Sequence, residues 1–325
     1  MTGIPTTPGA SPILLDAAAP MIQPRFLASL LPQLVEGGVD AVLTTAGALE
    51  GFRTTMLTVA EWLSLERSGR HRISLARSVA DIRAAKAAAR TAIVMHFQGA
   101  EPIEDQLDFL DVFHACGLRV MQLTYNARNR IGDGCFEETD IGLSKFGRRV
   151  IRRMEELSII VDLSHAGLRT SLEAIEAATR PLIVSHANAR ALLDTPRNVT
   201  DEVIRGVAAS GGVVGVCAAP FFLARGAASL DDLIDHVDHI ARLVGVRHVG
   251  LGFDFADEDE EDYVYYGYDE RYIPHPPWVW PNGISSHAEA RNVGKALRSR
   301  GYSEEETSGI LAENFLRVFA SVWGG

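Results

Sequence analysis

Two histidines follow two short apolar segments, and their spacing favours a shared site. Residues 159–165 (IIVDLSH) and 181–186 (PLIVSH) each end in Ser-His. Residues 168–179 lie between them with apolar side chains at helical spacing, which predicts a strand–helix–strand unit. Parallel strands in such a unit end at the same edge, where His165 and His186 can converge. Two buried histidines bonded to backbone are the alternative, but the repeated pair favours a metal or catalytic site.

Polar side chains also occur at the ends of other predicted strands. His96 and Gln98 lie two residues apart on one strand and therefore face the same way. Tyr125 and Asp254 follow two further strands. Two histidines and one aspartate suffice for a zinc ion with an open position for water. Such a water ionises near neutral pH and attacks a carbonyl group, which is hydrolytic chemistry.

Arg197 lies in the loop after the second Ser-His segment, within residues 195–199 (TPRNV). A guanidinium group there can bind a substrate carboxylate through two parallel hydrogen bonds. The spacing alone fits a surface arginine near a helix start equally well. Both interpretations therefore stay open at the level of the sequence.

Eight alternations of strand and helix position these groups. The predicted strands are 13–16, 39–45, 92–98, 120–124, the two Ser-His segments, 213–216 and 249–253. Unbroken alternation over this length predicts a single (β/α)8 TIM barrel, with one domain over residues 13–325 and a disordered lead over 1–12. The polar loop 125–139 is too long for a plain connector and is a candidate functional loop.

Composition and charge exclude several classes of protein. The formal charge of −11 argues against nucleic acid or an anionic membrane surface as partner. No segment reaches the ~18 apolar residues of a membrane helix, and residues 1–12 lack the features of a signal peptide. Three cysteines without C-x-x-C spacing fit a reducing compartment. We therefore expect a soluble, cytoplasmic protein.

Two segments near the C-terminal third have unusual composition. Residues 254–262 are strongly acidic, and everything after Asp254 is predicted to be a solvated loop. Residues 263–283 are rich in proline and aromatic side chains. An interface, an active-site lid and core packing are three interpretations of those aromatics that the sequence does not separate.

The Ser-His segments and their surroundings resemble a known family. Residues 161–216 (VDLSHAGL through GGVVGV) resemble the core of the membrane (renal-type) dipeptidase family, peptidase family M19. Supporting segments are GLSKFGRRVIRRMEELSIIVDLSH, VGVRHVGLGFDF and ILAENFLRVF, so the likeness covers about residues 92–320. The resemblance implies a (β/α)8 barrel related to the amidohydrolases. It also implies a two-zinc site that hydrolyses dipeptides and tolerates D-residues at the C-terminal position.

The resemblance assigns a role to each candidate residue. His165 and His186 match the histidines that hold one zinc. Asp254 matches the aspartate that handles the proton of the attacking water and the leaving amine, and Arg197 matches the arginine that binds the substrate carboxylate. Tyr125 takes the place of a substrate-binding histidine and can donate a hydrogen bond to a developing oxyanion. Its neighbour Asn126 is also predicted to bind substrate.

The sequence departs from the family where the other zinc is held. The family's Asp-Gly-His-x-Asp motif falls on residues 16–20 (DAAAP), so Ala18 and Pro20 replace both ligands. The family's bridging glutamate falls on Gln98, a poorer ligand. One zinc is therefore expected rather than two. His96 is a candidate to complete that site, with packing low in the barrel as its alternative, and Glu101 is a weaker substitute for the lost carboxylate.

Three functional hypotheses follow. The first is a metal-dependent hydrolase that cleaves the amide bond of a dipeptide or related small amide with a free carboxylate. The second keeps the barrel but performs a lyase, isomerase or amide-forming reaction on an amino-acid-derived metabolite. The third is a non-catalytic member of the family. Because members of the family often dimerise, a homodimer also stays open.

Overall fold

The computed structural model describes residues 11–324, and nearly all of the predicted disordered lead lies outside that range. Parallel strands form the centre of the molecule. They are β1 (Leu15–Asp16), β2 (Ala41–Gly47), β3 (Ile73–Leu75), β4 (Thr91–Phe97), β5 (Leu118–Gln122), β6 (Ile160–Asp162), β7 (Ile183–Val184), β8 (Val213–Val216) and β9 (Val249–Leu251).

Eight of these strands form a barrel. Their order follows the chain from β1 and β2 through β4 to β9, and each neighbouring pair is parallel. The first and last strands meet through hydrogen bonds from Ala17 N to Leu251 O (3.0 Å) and from Asp254 N to Ala18 O (2.9 Å). The predicted (β/α)8 barrel is therefore confirmed.

Helices surround the barrel and connect successive strands. They are α1 (Leu27–Gly37), α2 (Phe52–Ser68), α3 (Val79–Ala87), α4 (Asp108–Cys116), α5 (Lys145–Glu156), α6 (Leu168–Ala177), α7 (Asp201–Ala209), α8 (Pro220–Leu223), α9 (Leu230–Val244), α10 (Glu260–Tyr265), α11 (Arg291–Ser299), α12 (Glu304–Ser308) and α13 (Asn314–Trp323). No helix within residues 11–324 is long and apolar enough to cross a membrane.

Local sequence signals account for several helix ends. Gly38 ends α1 in the left-handed conformation (φ 68°), which glycine adopts without steric cost. Ser229 begins α9 with a capping box: its hydroxyl accepts from Asp232 N, and the Asp232 carboxylate accepts from Ser229 N (2.8 Å). Both signals are visible in the sequence, as the glycine pair 37–38 and as residues 229–232 (SLDD).

Alternating strand residues fill the barrel and pack against its helices. Leu43 of β2 belongs to the interior cluster, whereas its neighbour Val42 packs in the layer between strands and helices. Phe315 and Phe319 of α13 are fully buried against the interior cluster and close one end of the barrel. The other end, where the strands finish, is the end open to a ligand.

One strand was missed by the sequence analysis. The stretch between α2 and α3 contains β3, which pairs with residues 91–93 of β4 outside the barrel. β5 joins β4 only from Met95 onward, so the start of β4 has a free edge that β3 covers. Three residues are too few for periodicity to reveal a strand.

Candidate metal and catalytic site at the barrel mouth

Three candidate residues lie three or four positions after the ends of barrel strands, in a left-handed backbone conformation. Asn126, His165 and Asp254 have φ angles of 47°, 63° and 59°. Left-handed conformations are uncommon outside glycine, although Asn, Asp and His tolerate them best. In each case the chain leaves the strand abruptly and turns the side chain over the barrel mouth.

His165 and His186 converge as the two Ser-His segments predicted. Their Nε2 atoms lie 3.0 Å apart, and the rings cross at 64°. Both side chains are buried, with exposures of 6% and 0%. The pair sits at the carboxyl ends of β6 and β7, the edge of the barrel at which catalytic groups are expected.

Hydrogen bonds to the other ring nitrogens determine which nitrogen carries a proton. His165 Nδ1 lies 2.7 Å from Asn126 Oδ1, an oxygen that can only accept, so this Nδ1 is protonated. His186 Nδ1 lies 2.6 Å from Ser185 Oγ. His186 Nδ1 donates to Ser185 Oγ only if the Ser185 hydroxyl donates its own proton to another acceptor.

The buried carboxylate of Asp162 determines the direction of the Ser185 hydroxyl group. Asp162 Oδ1 accepts from the hydroxyl of Ser164 (3.0 Å), whose oxygen lies 3.1 Å from the hydroxyl of Ser185. Because Ser164 donates to the carboxylate, Ser185 donates to Ser164, and the Ser185 oxygen is left to accept from His186 Nδ1. Both histidines therefore present an unprotonated Nε2 atom to each other.

Two facing lone pairs 3.0 Å apart fit a bound cation. Burial, together with the positive charge of Arg197, holds the pKa of both His165 and His186 well below the usual range, so neither ring is an imidazolium. Neutral imidazole is a preferred zinc ligand. Asp254 Oδ2 lies 3.8 Å from His186 Nε2 and is a nearby carboxylate. Across residues 11–324, however, no three His, Cys, Asp or Glu side chains already stand in a metal-binding cluster.

The first strand and the residues after it leave no free carboxylate or imidazole at the positions that match the family's other zinc ligands. Ala18 and Pro20 have no side-chain atom that can bind a metal. Asp16 is already engaged, because its Oδ2 lies 2.8 Å from His287 Nε2 and its Oδ1 accepts from the amide of Ala18 (3.0 Å). Asp16 therefore connects the first strand to His287.

His96 and Glu101 have hydrogen-bond partners other than His165 and His186. His96 Nε2 is 3.0 Å from Asp162 Oδ2, and the fully buried ring packs inside the barrel, as its alternative interpretation held. Glu101 Oε1 accepts from Asn129 Nδ2 (3.3 Å) beside a separate surface cavity lined by Asn129 and Arg130. Neither residue is needed to describe the site at the mouth.

Arg197 is buried rather than on the surface. Its side chain is 2% exposed, its Nη2 donates to the carbonyl of His186 (2.9 Å), and its guanidinium lies 5.6 Å from the centre of the Phe222 ring. Within the described chain its Nε and Nη1 atoms are buried and have no hydrogen-bond partner. A buried cation with free donors requires an anion, which a substrate carboxylate would supply.

Aromatic side chains cover a cavity above His165. The cavity also contains the side chain of Gln98, whose amide interacts with the carboxyl group of Asp254, and that of Asn126, whose amide nitrogen lacks a partner within residues 11–324. Its aromatic lining consists of Tyr125, Phe221, Phe222, Tyr266, Tyr268, Trp278 and Trp280. The four last-named belong to segment 263–283, so the aromatics of that segment cover the candidate site.

Tyr125 connects the histidine pair to this aromatic cover. Its ring stacks on His165 with centroids 4.3 Å apart, and its hydroxyl lies 3.0 Å from the hydroxyl of Tyr268. Tyr268 in turn donates to Glu258 Oε1 (3.0 Å). Since Tyr268 uses its proton on Glu258, Tyr125 donates to Tyr268 in this conformation.

Two carboxyl groups of the site have perturbed pKa values. Burial raises the pKa of Asp254 to about 7, although Arg197 opposes the shift. Burial likewise raises the pKa of Glu258 to about 8, against the hydrogen bond from Tyr268. The prediction that everything after Asp254 is a solvated loop was therefore wrong for Glu258. The sequence showed the acidic run but not that segment 263–283 folds over it.

Sequence and structure comparisons agree on the family. The profile of the membrane dipeptidase family (peptidase family M19) matches residues 30–264. A protein encoded in the pqqA 5′ region of Klebsiella pneumoniae is 30% identical over 278 residues, which is 82% of this chain and 94% of that protein. Dipeptidase tcpJ of Claviceps purpurea is 28% identical over 77% of this chain and 56% of its own length.

The comparison of structures gives the same result. A crystal structure of an amidohydrolase from Pseudomonas aeruginosa has a TM-score of 0.89 and 33% identity, with 97% of each chain covered. The chain spans about half the length of the curated dipeptidases that it matches. On the profile match and the identity with the Klebsiella protein, this chain belongs to the membrane dipeptidase family, peptidase family M19.

Proposed function

We propose that the protein is a metal-dependent hydrolase that cleaves the amide bond of a dipeptide or a related small amino-acid amide. The observation that carries this proposal is the pair of unprotonated Nε2 atoms of His165 and His186, 3.0 Å apart beside Asp254. The dipeptidases among the relatives support the same substrate class.

His165 and His186 would hold a single zinc ion, since the first strand offers no donors for another. When bound, zinc supplies Lewis acidity toward a carbonyl oxygen and an acidified water. The hydrogen bonds from Nδ1 of the two rings to Asn126 and Ser185 keep both tautomers suited to metal binding.

Asp254 is assigned as the general base. A carboxyl group with a pKa raised to about 7 is matched to proton transfer near neutral pH. It would accept the proton of the attacking water at Oδ2, the oxygen that faces His186, and return that proton to the leaving amine. Asp254 is also close enough to His186 to be a metal ligand, but its raised pKa favours the role of base.

Arg197 would bind the carboxylate of the substrate through its free Nε and Nη1 atoms. The cavity beside Arg197 shares His165 with the aromatic-covered cavity, so a bound carboxylate lies next to the histidine pair. Asn126 has a free Nδ2 in the same region and can donate to a substrate oxygen. Tyr125 can do so only after its hydroxyl leaves Tyr268.

A direct assay tests the proposal. The purified full chain, loaded with one equivalent of zinc, is incubated with a panel of L,L- and L,D-dipeptides, and released amino acids are measured by mass spectrometry. We expect release by the wild type and by His71→Ala, whose histidine lies in the loop before β3. We expect none from His186→Ala. Absence of release from every dipeptide by the zinc-loaded wild type would refute the proposal.

A further inference from the structure

Glu258 lies in a setting that suits a ligand with a positive charge. Its Oε1 accepts from Tyr268, but its Oε2 is buried and has no hydrogen-bond partner within the described chain. Asp254 is the other carboxylate that lines the same cavity, and among the described residues no Lys or Arg lines it. Burial without a nearby cation raises the pKa of Glu258 to about 8 and so favours the protonated form, whereas a cationic ligand beside Oε2 would favour the carboxylate.

The walls around Glu258 suit an organic cation rather than a metal ion. Tyr266 stacks against Tyr268 with ring centroids 5.7 Å apart, and Trp278 lies 6.1 Å from Tyr268. Tyr125 lies 5.7 Å from Tyr266. Aromatic faces attract alkylated ammonium groups, which are weakly hydrated, more readily than they attract hydrated metal ions.

A second observation indicates that the cavity takes a ligand. Asn126 is 3% exposed, lines the cavity, and has an amide nitrogen without a partner among residues 11–324, whereas the neighbouring Gln98 amide interacts with the carboxyl group of Asp254. Buried polar groups in folded proteins are normally hydrogen-bonded, so the free donor of Asn126 requires an acceptor atom from outside the chain. This donor lies beside His165, and the Glu258 carboxyl group and the aromatic rings line the rest of the same cavity.

We propose that Glu258 and the aromatic side chains of Tyr125, Tyr266, Tyr268 and Trp278 form a binding site for an organic ammonium group. The site would recognise substrates whose end opposite the carboxylate carries a distal amine. An α-amino group is only two bonds from the scissile carbonyl carbon, whereas the Tyr125 and Tyr268 hydroxyls stand between Glu258 and His165. An amine or alkylated amine at the end of a substrate side chain can extend past these hydroxyls to Glu258.

The identity of the ammonium group as part of a substrate rests on the proposed function, but binding itself does not. The test is therefore calorimetric titration of the full chain without turnover. Choline chloride is compared with 3,3-dimethyl-1-butanol, which has the same shape and no charge. We expect saturable binding of choline that is at least about tenfold tighter than binding of the alcohol, equivalent to about 1.4 kcal/mol.

Variants identify the group responsible. Glu258→Gln keeps the shape of the side chain and removes its charge, so the preference for choline should disappear. Glu261→Gln, an exposed carboxylate in the same segment, should keep it. Trp278→Leu should also weaken choline selectively, which keeps the test informative if Glu258→Gln fails to fold by circular dichroism.

The outcomes separate this inference from the proposed function. Equal binding of choline and the alcohol to the wild type, no saturable binding of choline up to about 100 mM, or an unchanged preference in Glu258→Gln would overturn the ammonium site. Any of those results together with dipeptide hydrolysis would leave the proposed function intact. Choline binding without hydrolysis of any dipeptide would support the site and refute the hydrolase.

Discussion

Asp162 and His96 form a fully buried pair inside the barrel, with Oδ2 and Nε2 3.0 Å apart. Burial opposes ionisation of the carboxyl group. Hydrogen bonds from His96 Nε2 and from Ser185 outweigh it, and they hold the pKa of Asp162 below its usual range. The other oxygen of Asp162 accepts hydrogen bonds from the Ser164 hydroxyl and the Ser185 amide. A single carboxylate therefore holds His96 in the barrel interior and fixes the metal-binding tautomer of His186.

We predict that Asp162→Asn lowers the free energy of unfolding by about 1–3 kcal/mol, because the buried His96 ring and the hydroxyl of Ser164 lose the carboxylate that they contact. Metal affinity should fall by roughly 10–100-fold, since the orientation of His186 depends on this network. Urea denaturation and zinc titration measure the two effects. Asp231→Asn, on a side chain that is 88% exposed, is the control and should change neither. A variant as stable as the wild type would contradict the assigned role of the pair.

We predict one zinc ion per chain in protein purified without chelators, as measured by inductively coupled plasma mass spectrometry. Both His165→Ala and His186→Ala should lose the ion, because each variant leaves only one of the two facing Nε2 lone pairs to bind it. His71→Ala should retain the ion. Two ions per chain would show that Gln98 or another residue rebuilds the second site and that the expectation of one ion is wrong.

We predict that Asp254→Asn lowers kcat by about 10²–10⁴-fold, the usual contribution of a general base. The wild-type rate should fall as the pH decreases, because the base is inactive once protonated. A bound cation lowers the pKa of Asp254 from about 7 toward its ordinary 3.8, so the midpoint should lie between these values. The fall in rate at acid pH should vanish from the pH–rate profile of Asp254→Asn and persist in that of Asp257→Asn, whose side chain is exposed. A persisting limb in Asp254→Asn would assign the base elsewhere.

We predict that Arg197→Met raises KM for dipeptides and lowers kcat/KM by about 100-fold or more, as expected for the loss of a buried charge contact to a ligand. The diagnostic comparison is a dipeptide against its C-terminal amide. The wild type should prefer the free acid, and Arg197→Met should not discriminate. Arg205→Met, in the exposed face of α7, should behave as the wild type. An unchanged preference in Arg197→Met would rule out carboxylate binding there.

We predict that Glu258 makes the protein less stable at alkaline pH. The group ionises near 4.5 ordinarily but near 8 in the fold, so the folded state holds an extra proton between these values. The resulting stability is full below about 4.5 and is lost as the pH rises through about 8. The melting temperature should therefore fall less between pH 5 and 9 in Glu258→Gln than in the wild type or Glu261→Gln. If the melting temperatures of Glu258→Gln and the wild type changed equally with pH, the raised pKa of Glu258 would be contradicted.

Much of the barrel was predictable because its signals are local. Apolar runs and helical periodicity located eight strands, and the parallel arrangement brought His165 and His186 to one edge without knowledge of the coordinates. Boundaries differed by a few residues: the predicted 249–253 strand ends at Leu251, where the chain begins its turn toward Asp254.

The relationships that the sequence did not reveal are those between distant residues. Periodicity indicated that His96 faces the same way as Gln98, but not that Asp162, 66 residues later, would accept its hydrogen bond. Likewise, Tyr125 and Tyr268 are 143 residues apart, and nothing local links them. Burial of Glu258 follows from that long-range contact, which is why composition alone suggested a solvated loop.

The left-handed conformations of Asn126, His165 and Asp254 imply a trade-off between thermal robustness and chemistry. Each non-glycine residue in this region costs of the order of 1 kcal/mol or more, and here all three such costs fall on residues at the barrel mouth. Glycine would relieve each one while removing a functional group. Selection for heat resistance alone would therefore replace these three residues first. Stabilising substitutions that preserve activity should be placed at the opposite end of the barrel.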